Sequence, residues 1–274
     1  AFLTASDVKE EYPLLYHSEL ERYFSIDDID SAQRVVKDVL ASYQLANLDK
    51  HIEDFKYNLC IDLGANMGMF SVLASLYFKK VIGIEADPYL CDYAQANLNH
   101  NMKLNGEHLK LAEVRLHNFA CAAKAGEMVS IYESPTDLGG NHIIAQPEDI
   151  HRGARKAMTI DFPQMMKLIG KAEIDYMKLD IEGSEYDFLL GHDLSHIKVI
   201  RMEMHGTDNK EYTQRRKEKL LEALTKNFYV AAQGPPGSTE LHEWDNLWAI
   251  NRKNISASKF THMIKTRRTM GRWA

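Results

Sequence analysis

Cysteine is scarce in this 274-residue chain. Cys60, Cys91 and Cys121 are the three, and they lack the spacing of metal ligands. Two of them lie in apolar, strand-like runs, which points to reduced thiols in or near the core of a cytosolic protein. No apolar run is long enough to span a bilayer, and Phe2-Leu3 gives way at once to polar residues, so no signal peptide is expected. Basic charge is also lacking. A formal net charge of −6 argues against a protein that binds nucleic acid with its whole surface. The Gly-x-Gly-x-x-Gly spacing of a dinucleotide loop is missing too, which counts against a dehydrogenase. What is present is ordinary for a globular protein, 45% hydrophobic and 26% charged, in a length that suits one large α/β domain with extensions.

One stretch organises the rest: Cys60-Ile61-Asp62-Leu63-Gly64-Ala65-Asn66-Met67-Gly68-Met69-Phe70-Ser71. The apolar run 57–63 reads as a buried strand, glycines follow, and the apolar spacing over 70–78 reads as a helix. Such a turn brings backbone N–H groups close to a ligand, and glycine permits it because a Cβ would block the approach or forbid positive φ. A second apolar run, 80–84, ends on Glu85, about 20 residues on, where nucleotide-binding α/β folds place a carboxylate for ribose hydroxyls. An acid that merely terminates a strand is the plainer alternative. Glycine turn and strand-end acid together predict an adenosine-containing cofactor. Asp62 and the wide Gly-x-x-x-Gly spacing favour S-adenosylmethionine over NAD, because a charged amino-acid end can use a carboxylate where a pyrophosphate wants the tighter loop.

Residues 1–56 read as an N-terminal helical extension, with apolar positions Val35, Val36, Val39, Leu40 and Tyr43 at helical spacing. It would serve as a lid, a dimer contact or a brace, and Tyr12, Tyr16, Tyr23 and Phe24 pack more readily than they line a pocket. The main domain spans 57–252. After Glu85, Asp87-Pro88 opens a helix most of whose asparagines are read as helix-end or surface groups. Residues 113–120 form a third strand, and Asn118 to Ala120 mark the expected place of an adenine ring. Strand-like pieces at 128–132 and 158–161 flank the polar segment 133–157. That segment, with Gly139-Gly140-Asn141-His142, is either an acceptor loop or an insertion.

A second informative stretch runs from Ile174 through Lys178, Asp180, Glu182, Gly183 and Glu185. Period-two geometry puts Lys178, Asp180 and Glu182 on one side of a strand whose C-terminal end is the ligand end of an open parallel sheet. In the next strand Arg201, Glu203 and His205 alternate with Ile200, Met202 and Met204, and buried charge of this kind needs partners. A charged helix over 210–226, strands at 228–233 and 247–251 and a Gly-Pro-Pro-Gly turn at 234–237 complete the domain. The tail 253–274 is basic. From Arg252 onward there are seven Lys or Arg and no Asp or Glu, leaving −13 on the remainder. It suits either a solvated terminus or contact with an anionic surface.

Assembled in order, these segments resemble the FkbM family of S-adenosylmethionine-dependent methyltransferases. The resemblance rests on Ile61-Asp62-Leu63-Gly64-Ala65-Asn66-x-Gly68-x-Phe70-Ser71, Gly83-Ile84-Glu85-Ala86-Asp87-Pro88, Thr159-Ile160-Asp161, Lys178-Leu179-Asp180-Ile181-Glu182-Gly183-x-Glu185 and Glu203-x-His205. It implies a Rossmann-like, doubly wound, mostly parallel seven-stranded sheet of the class I methyltransferase type. It also implies a cofactor held by Asp62, Gly64, Ala65, Asn66, Gly68, Phe70 and Ser71, by Glu85 and Ala86, by Asn118 and Ala120, and by Asp180. The family commonly has Glu-Pro at Glu85-Ala86, a change that keeps the carboxylate. The implied reaction is O-methylation of a hydroxyl on a sugar, glycan or small natural product. Residues 1–55, 133–157 and the tail fall outside the resemblance and are where acceptor choice is expected.

A hydroxyl acceptor must lose its proton, which calls for a base or a metal. His205 is the expected base, with Asp180 and Glu203 beside it. The alternative is Mg²⁺ or Mn²⁺ held by Asp180 with Glu182, Glu203 or His205, since neighbouring strands about 4.8 Å apart would let these groups converge. For Glu185 an acid near a helix dipole is sufficient explanation. An RNA ribose methyltransferase would share the fold but would need a basic groove, and a non-catalytic cofactor-binding scaffold is compatible with the same residues.

Overall fold

The computed structural model describes residues 45, 47–105, 112–132, 155–170, 172–206, 209–233 and 246–270. The expected helices over 1–44, the Gly139-Gly140-Asn141-His142 loop and the 234–237 turn lie outside the described residues.

A 3₁₀ turn (Leu48–Lys50) precedes β1 (Leu59–Leu63), every residue of which is buried. After the glycine turn come α1 (Met69–Ser75), β2 (Lys80–Glu85) and α2 (Pro88–Asn105), which starts on a proline that a first helical turn tolerates. β3 (Glu113–Asn118), β4 (Ala120–Cys121), β5 (Met128–Ser130) and β6 (Lys156–Ile160) follow. Asp161 then caps α3 (Phe162–Leu168) by accepting from the Gln164 N–H at 2.8 Å. Next are β7 (Ile174–Leu179), α4 (Glu185–Leu189), β8 (Ile197–Glu203) and α5 (Lys210–Thr225), the last capped by the Asn209 side chain. β9 (Phe228–Gln233), β10 (Asn246–Asn251) and α6 (Ala257–Met270) end the described chain. None of its helices is long and apolar enough to cross a membrane.

Seven strands form one sheet in the order β3-β2-β1-β7-β8-β10-β9, with β10 antiparallel to both its neighbours and the first five strands mutually parallel. This is the Rossmann-like doubly wound arrangement that the sequence predicts. Strands buried on both faces require helices on both sides, which is why β1, β7 and β8 read as near-continuous apolar runs. Alternate residues feed two cores. Ile61, Leu63, Met177 and Leu179 join Phe162, Phe188 and Leu220 on one face, while Cys60, Val81, Tyr176 and Val199 join Phe70 and Phe78 on the other.

The expected strand over 113–120 is two strands. At Phe119 the chain leaves the large sheet, and Ala120–Cys121 joins a second, three-stranded sheet in the order β4-β6-β5. Asn118 marks the break, its side chain donating to the carbonyls of Glu85 and Ala86 at 2.9 and 2.8 Å.

The ends of the described chain belong to the core. Leu45, Leu48, Ile52 and Phe55 cluster with Phe70 and Tyr176, and Ile255, Phe260 and Met263 join the same cluster. The Glu53 N–H donates to the Asn254 carbonyl at 2.6 Å, and Phe260 stacks on Tyr229 with ring centroids 5.6 Å apart. Boundaries drawn at 56/57 and 252/253 therefore cross a shared core, and the beginning of the basic tail is a packed helix rather than a solvated coil. Truncating Met263, which is 1% exposed, to alanine is expected to lower unfolding free energy by about 2–5 kcal/mol. Urea denaturation measures this, and a loss too small to detect would mean that α6 contributes nothing to the fold.

Candidate active site

Chain order reverses across β1, with β2 on one side and β7 on the other, so the carboxyl ends of these strands open the crevice at which doubly wound sheets bind ligands. Gly64 follows β1, Glu85 ends β2, Asn118 ends β3, Asp180 follows β7 and Glu203 ends β8. The parallel register brings all five to one edge.

Gly64 sits at φ +74°, and a Cβ there would lie 1.7 Å from the Asp180 carbonyl oxygen. Glycine is demanded by the backbone of the neighbouring loop rather than by a ligand. The same contact fixes Asp180 against the turn. Lys178, almost wholly buried, ties the two loops together. Its Nζ donates to the Gly64 carbonyl at 2.6 Å and lies 3.2 Å from Asp62 Oδ1 and 3.6 Å from Asp180 Oδ2. Asp62, with no exposed surface, also accepts from Ser71 Oγ at 2.6 Å, and Phe70 places its ring 5.9 Å from the Lys178 ammonium.

Glu85 stands at the end of β2 with only 7% of its surface exposed. One carboxylate oxygen accepts from the Asn66 N–H at 2.7 Å and the other from the Asp87 N–H at 2.8 Å, which holds the glycine turn against the next loop. Burial pushes its pKa from 4.5 up to about 7, although the two N–H donors pull the other way. Asn66 adopts φ 50°, its side chain accepting from the Met67 N–H at 2.6 Å. Asn97 is fully buried and donates to the Met67 carbonyl at 2.8 Å, closing the turn from behind.

At the other end of the crevice the chain turns through Glu182 at φ 51° and Gly183 at φ 96° into α4. Glu185 is fully buried. Its Oε1 accepts from the N–H groups of Ile181 and Gly183, both at 3.2 Å, and lies 2.7 Å from His205 Nδ1. A carboxylate only accepts, so Nδ1 carries the hydrogen and Nε2 is turned toward Glu182, 3.4 Å away, and Asp180, 3.7 Å away. The Tyr186 hydroxyl donates to the His205 carbonyl at 2.8 Å and steadies the backbone. Ligand atoms of Asp180, Glu203 and His205 all lie within 4.8 Å of one another; Glu182 reaches the imidazole but stays outside that trio. Burial opposes charge on His205, yet the Glu185 carboxylate, with those of Glu182 and Asp180, outweighs it and holds the pKa well above the usual range. The surrounding carboxylates thus favour the protonated form of the ring. Glu182 is pushed up to about 7 by burial, partly offset by His205 and reinforced by Asp180, Glu185 and Glu203.

The structure gathers Gly64, Asn66, Glu85, Ala86, Asn118 and Asp180 along one edge, with Glu182, Glu203 and His205 adjoining. Asp62, Phe70 and Ser71 belong elsewhere. All three are buried behind the turn, where Asp62 Oδ2 accepts from Ser71 and Oδ1 lies 3.2 Å from the Lys178 ammonium. Ala65, Gly68 and Ala120 are likewise buried, and a Cβ on Gly68 would press on Ala94 of α2 at 3.0 Å. Glu185 is the group that the sequence reading set aside. Its partner His205 is 20 residues away, and the acid-rich helix start explained it locally.

Residues 62–245 match the methyltransferase FkbM domain. Methyltransferase sdnD of Sordaria araneosa is 23% identical, over 69% of this chain and 79% of that protein. Among solved structures, methyltransferase FkbM of Methylobacillus flagellatus KT is 15% identical over 89% of this chain, with a TM-score of 0.44, and the match spans 60% of its length. Magnesium protoporphyrin IX methyltransferase of Synechocystis PCC 6803, solved with bound SAM, is 12% identical over 92% of this chain and 99% of that one, with a TM-score of 0.42.

Because the pKa of Glu85 lies above its ordinary 4.5, the folded protein holds a proton that the unfolded chain releases. The stability it contributes is full below about pH 4.5, declines as pH rises through about 7 and is constant beyond. A ¹³C carboxyl titration of Glu85 is expected to show a midpoint near 7; a midpoint near 4.5 would remove this account of the turn.

Proposed function

The chain belongs to the FkbM methyltransferase family, and from that premise we propose that it transfers a methyl group from S-adenosylmethionine to a hydroxyl of a sugar, glycan or small natural product. Glu85 carries the reading. Each of its oxygens accepts a single backbone N–H in the contacts described above, and a carboxylate offers about four acceptor sites, which leaves capacity for two ribose hydroxyls. Asn118 and Phe119, two strands from the glycine turn, suit the adenine end, while Gly64 and the half-open Asp180 suit the amino-acid end.

When bound, the cofactor supplies a methyl group already activated on a sulfonium. The residues near Asp180 then hold the acceptor oxygen close and in line, the largest contribution positioning can make. They also receive its proton. The methyl group would pass to the acceptor oxygen, and the hydroxyl proton would be taken by the carboxylate of Asp180 or Glu203, with S-adenosylhomocysteine leaving. Positive charge beside that oxygen favours its ionisation, supplied by the His205 imidazolium or by Mg²⁺ or Mn²⁺. The family match lies inside 57–252, which we take as the body of the methyltransferase domain, with flanking residues 45–55 and 255–263 completing its core. Buried, unpaired Cys60 and Cys121 suit a cytosolic setting.

Glu85→Ala is expected to weaken S-adenosylhomocysteine binding about 10- to 100-fold by calorimetry, from the loss of charge-assisted hydrogen bonds. Unchanged affinity would take Glu85 out of the site. Product masses after incubation with hydroxylated glycans and metabolites would identify the acceptor, and methyl gain on nitrogen or carbon alone would overturn the O-methyl reading.

A further inference from the structure

We propose that Asp180, Glu203 and His205 bind a divalent cation of the Mn²⁺ class, with buried Glu185 as the group that orients His205. The inference rests on the methyl-transfer reading for its chemical use, but its geometry stands on the chain alone. The three residues come from the end of β7, the end of β8 and the segment just beyond, so the sheet itself sets their spacing. Octahedral ligands on bonds of about 2.1 Å stand roughly 3 to 4.2 Å apart. Donor atoms already within 4.8 Å of one another need move only slightly to match.

Histidine orientation adds a separate observation. Glu185 takes Nδ1 at 2.7 Å and leaves Nε2 facing Asp180 and Glu182. A carboxylate behind an imidazole is the arrangement that fixes the tautomer of a metal-ligating histidine. Glu185 is 0% exposed, and its Oε2 has no hydrogen-bond partner among the described residues. His205 Nδ1, 2.7 Å from Oε1, is the partner that compensates this buried carboxylate.

Acidic groups gather at the same place. Four carboxylates, those of Asp180, Glu182, Glu185 and Glu203, surround one imidazole. Lys178 reaches this group at Asp180 Oδ2, 3.6 Å away, and makes its shorter contacts with the Gly64 carbonyl and Asp62. Side chains of Asp180 and His205, 29% and 22% exposed, are open on the crevice side, where water or an acceptor oxygen would complete the coordination. Two carboxylates and one imidazole suit Mn²⁺ better than an all-oxygen Mg²⁺ site. An acceptor hydroxyl bound to such an ion loses its proton more readily, and a neighbouring carboxylate or water takes that proton.

Titration of the full chain with MnCl₂, followed by the electron paramagnetic resonance signal of free Mn²⁺, is expected to show one saturable site. Glu203→Gln and His205→Ala should abolish it, and Glu185→Gln should weaken it about 10- to 100-fold. A wild-type protein with no saturable site, or one whose affinity survives both ligand substitutions, overturns the proposal. The wild-type titration decides even where a variant fails to fold. Calorimetry with S-adenosylhomocysteine on the same samples keeps the two readings apart. Cofactor binding without Mn²⁺ binding sinks the ion alone, whereas loss of cofactor binding sinks the methyl-transfer reading.

Discussion

A single buried ammonium holds the crevice together. Lys178 lies in the middle of a sheet buried on both faces, where an unpaired charge is prohibitively costly. The cost is met by the Gly64 carbonyl and Asp62 on β1, with Asp180 beyond β7. Those partners lie on both loops of the topological switch point, so satisfying the charge also fixes the distance between them. Asp62 is consequently an internal counter-ion, and Ser71 and Phe70 complete its enclosure. Removing one partner would strand the other charge, which makes such pairs better at specifying geometry than at adding net stability.

Gly64 supplies the matching steric constraint. Its missing Cβ admits the Asp180 backbone, while Glu85 reaches across from β2 to hold the Asn66 and Asp87 N–H groups. The turn is clamped from both neighbouring strands before any ligand arrives. A site organised in this way requires little reordering on binding, and pre-organisation of that kind lowers the entropy cost of holding a small molecule.

Much of this was legible in the sequence because it is local. Continuous apolar runs identified β1, β2, β7 and β8, and the acids at their ends marked the ligand edge. Pairings between distant segments were not legible. Glu185 looked like an ordinary acid at a helix start, and only the β7–β8 register brings it to His205. Asp62 looked like a ligand group because its counter-ion comes from β7, more than a hundred residues on. The helix asparagines were read mostly as helix-end or surface groups, and which of them is buried depends on a distant partner: Asn97 meets the Met67 carbonyl of the turn. The helix after Arg252 was obscured by its basic composition, although Phe260 and Met263 stand three apart as a buried stripe would require.

Asp180 separates two oppositely disposed regions. On its inner side is Lys178; on its outer side are Glu182, Glu203 and the Glu185–His205 pair. For the proposed reaction that asymmetry has a consequence. A sulfonium loses its positive charge as the methyl group departs, so uncompensated carboxylates beside it favour the ground state over the transition state and raise the barrier. The attacking oxygen has the opposite need, since negative charge on it is stabilised by a nearby cation. An acid-rich outer side is therefore productive only when neutralised close to the acceptor oxygen. His205, aimed by Glu185 and surrounded by carboxylates, lies where that neutralising charge belongs.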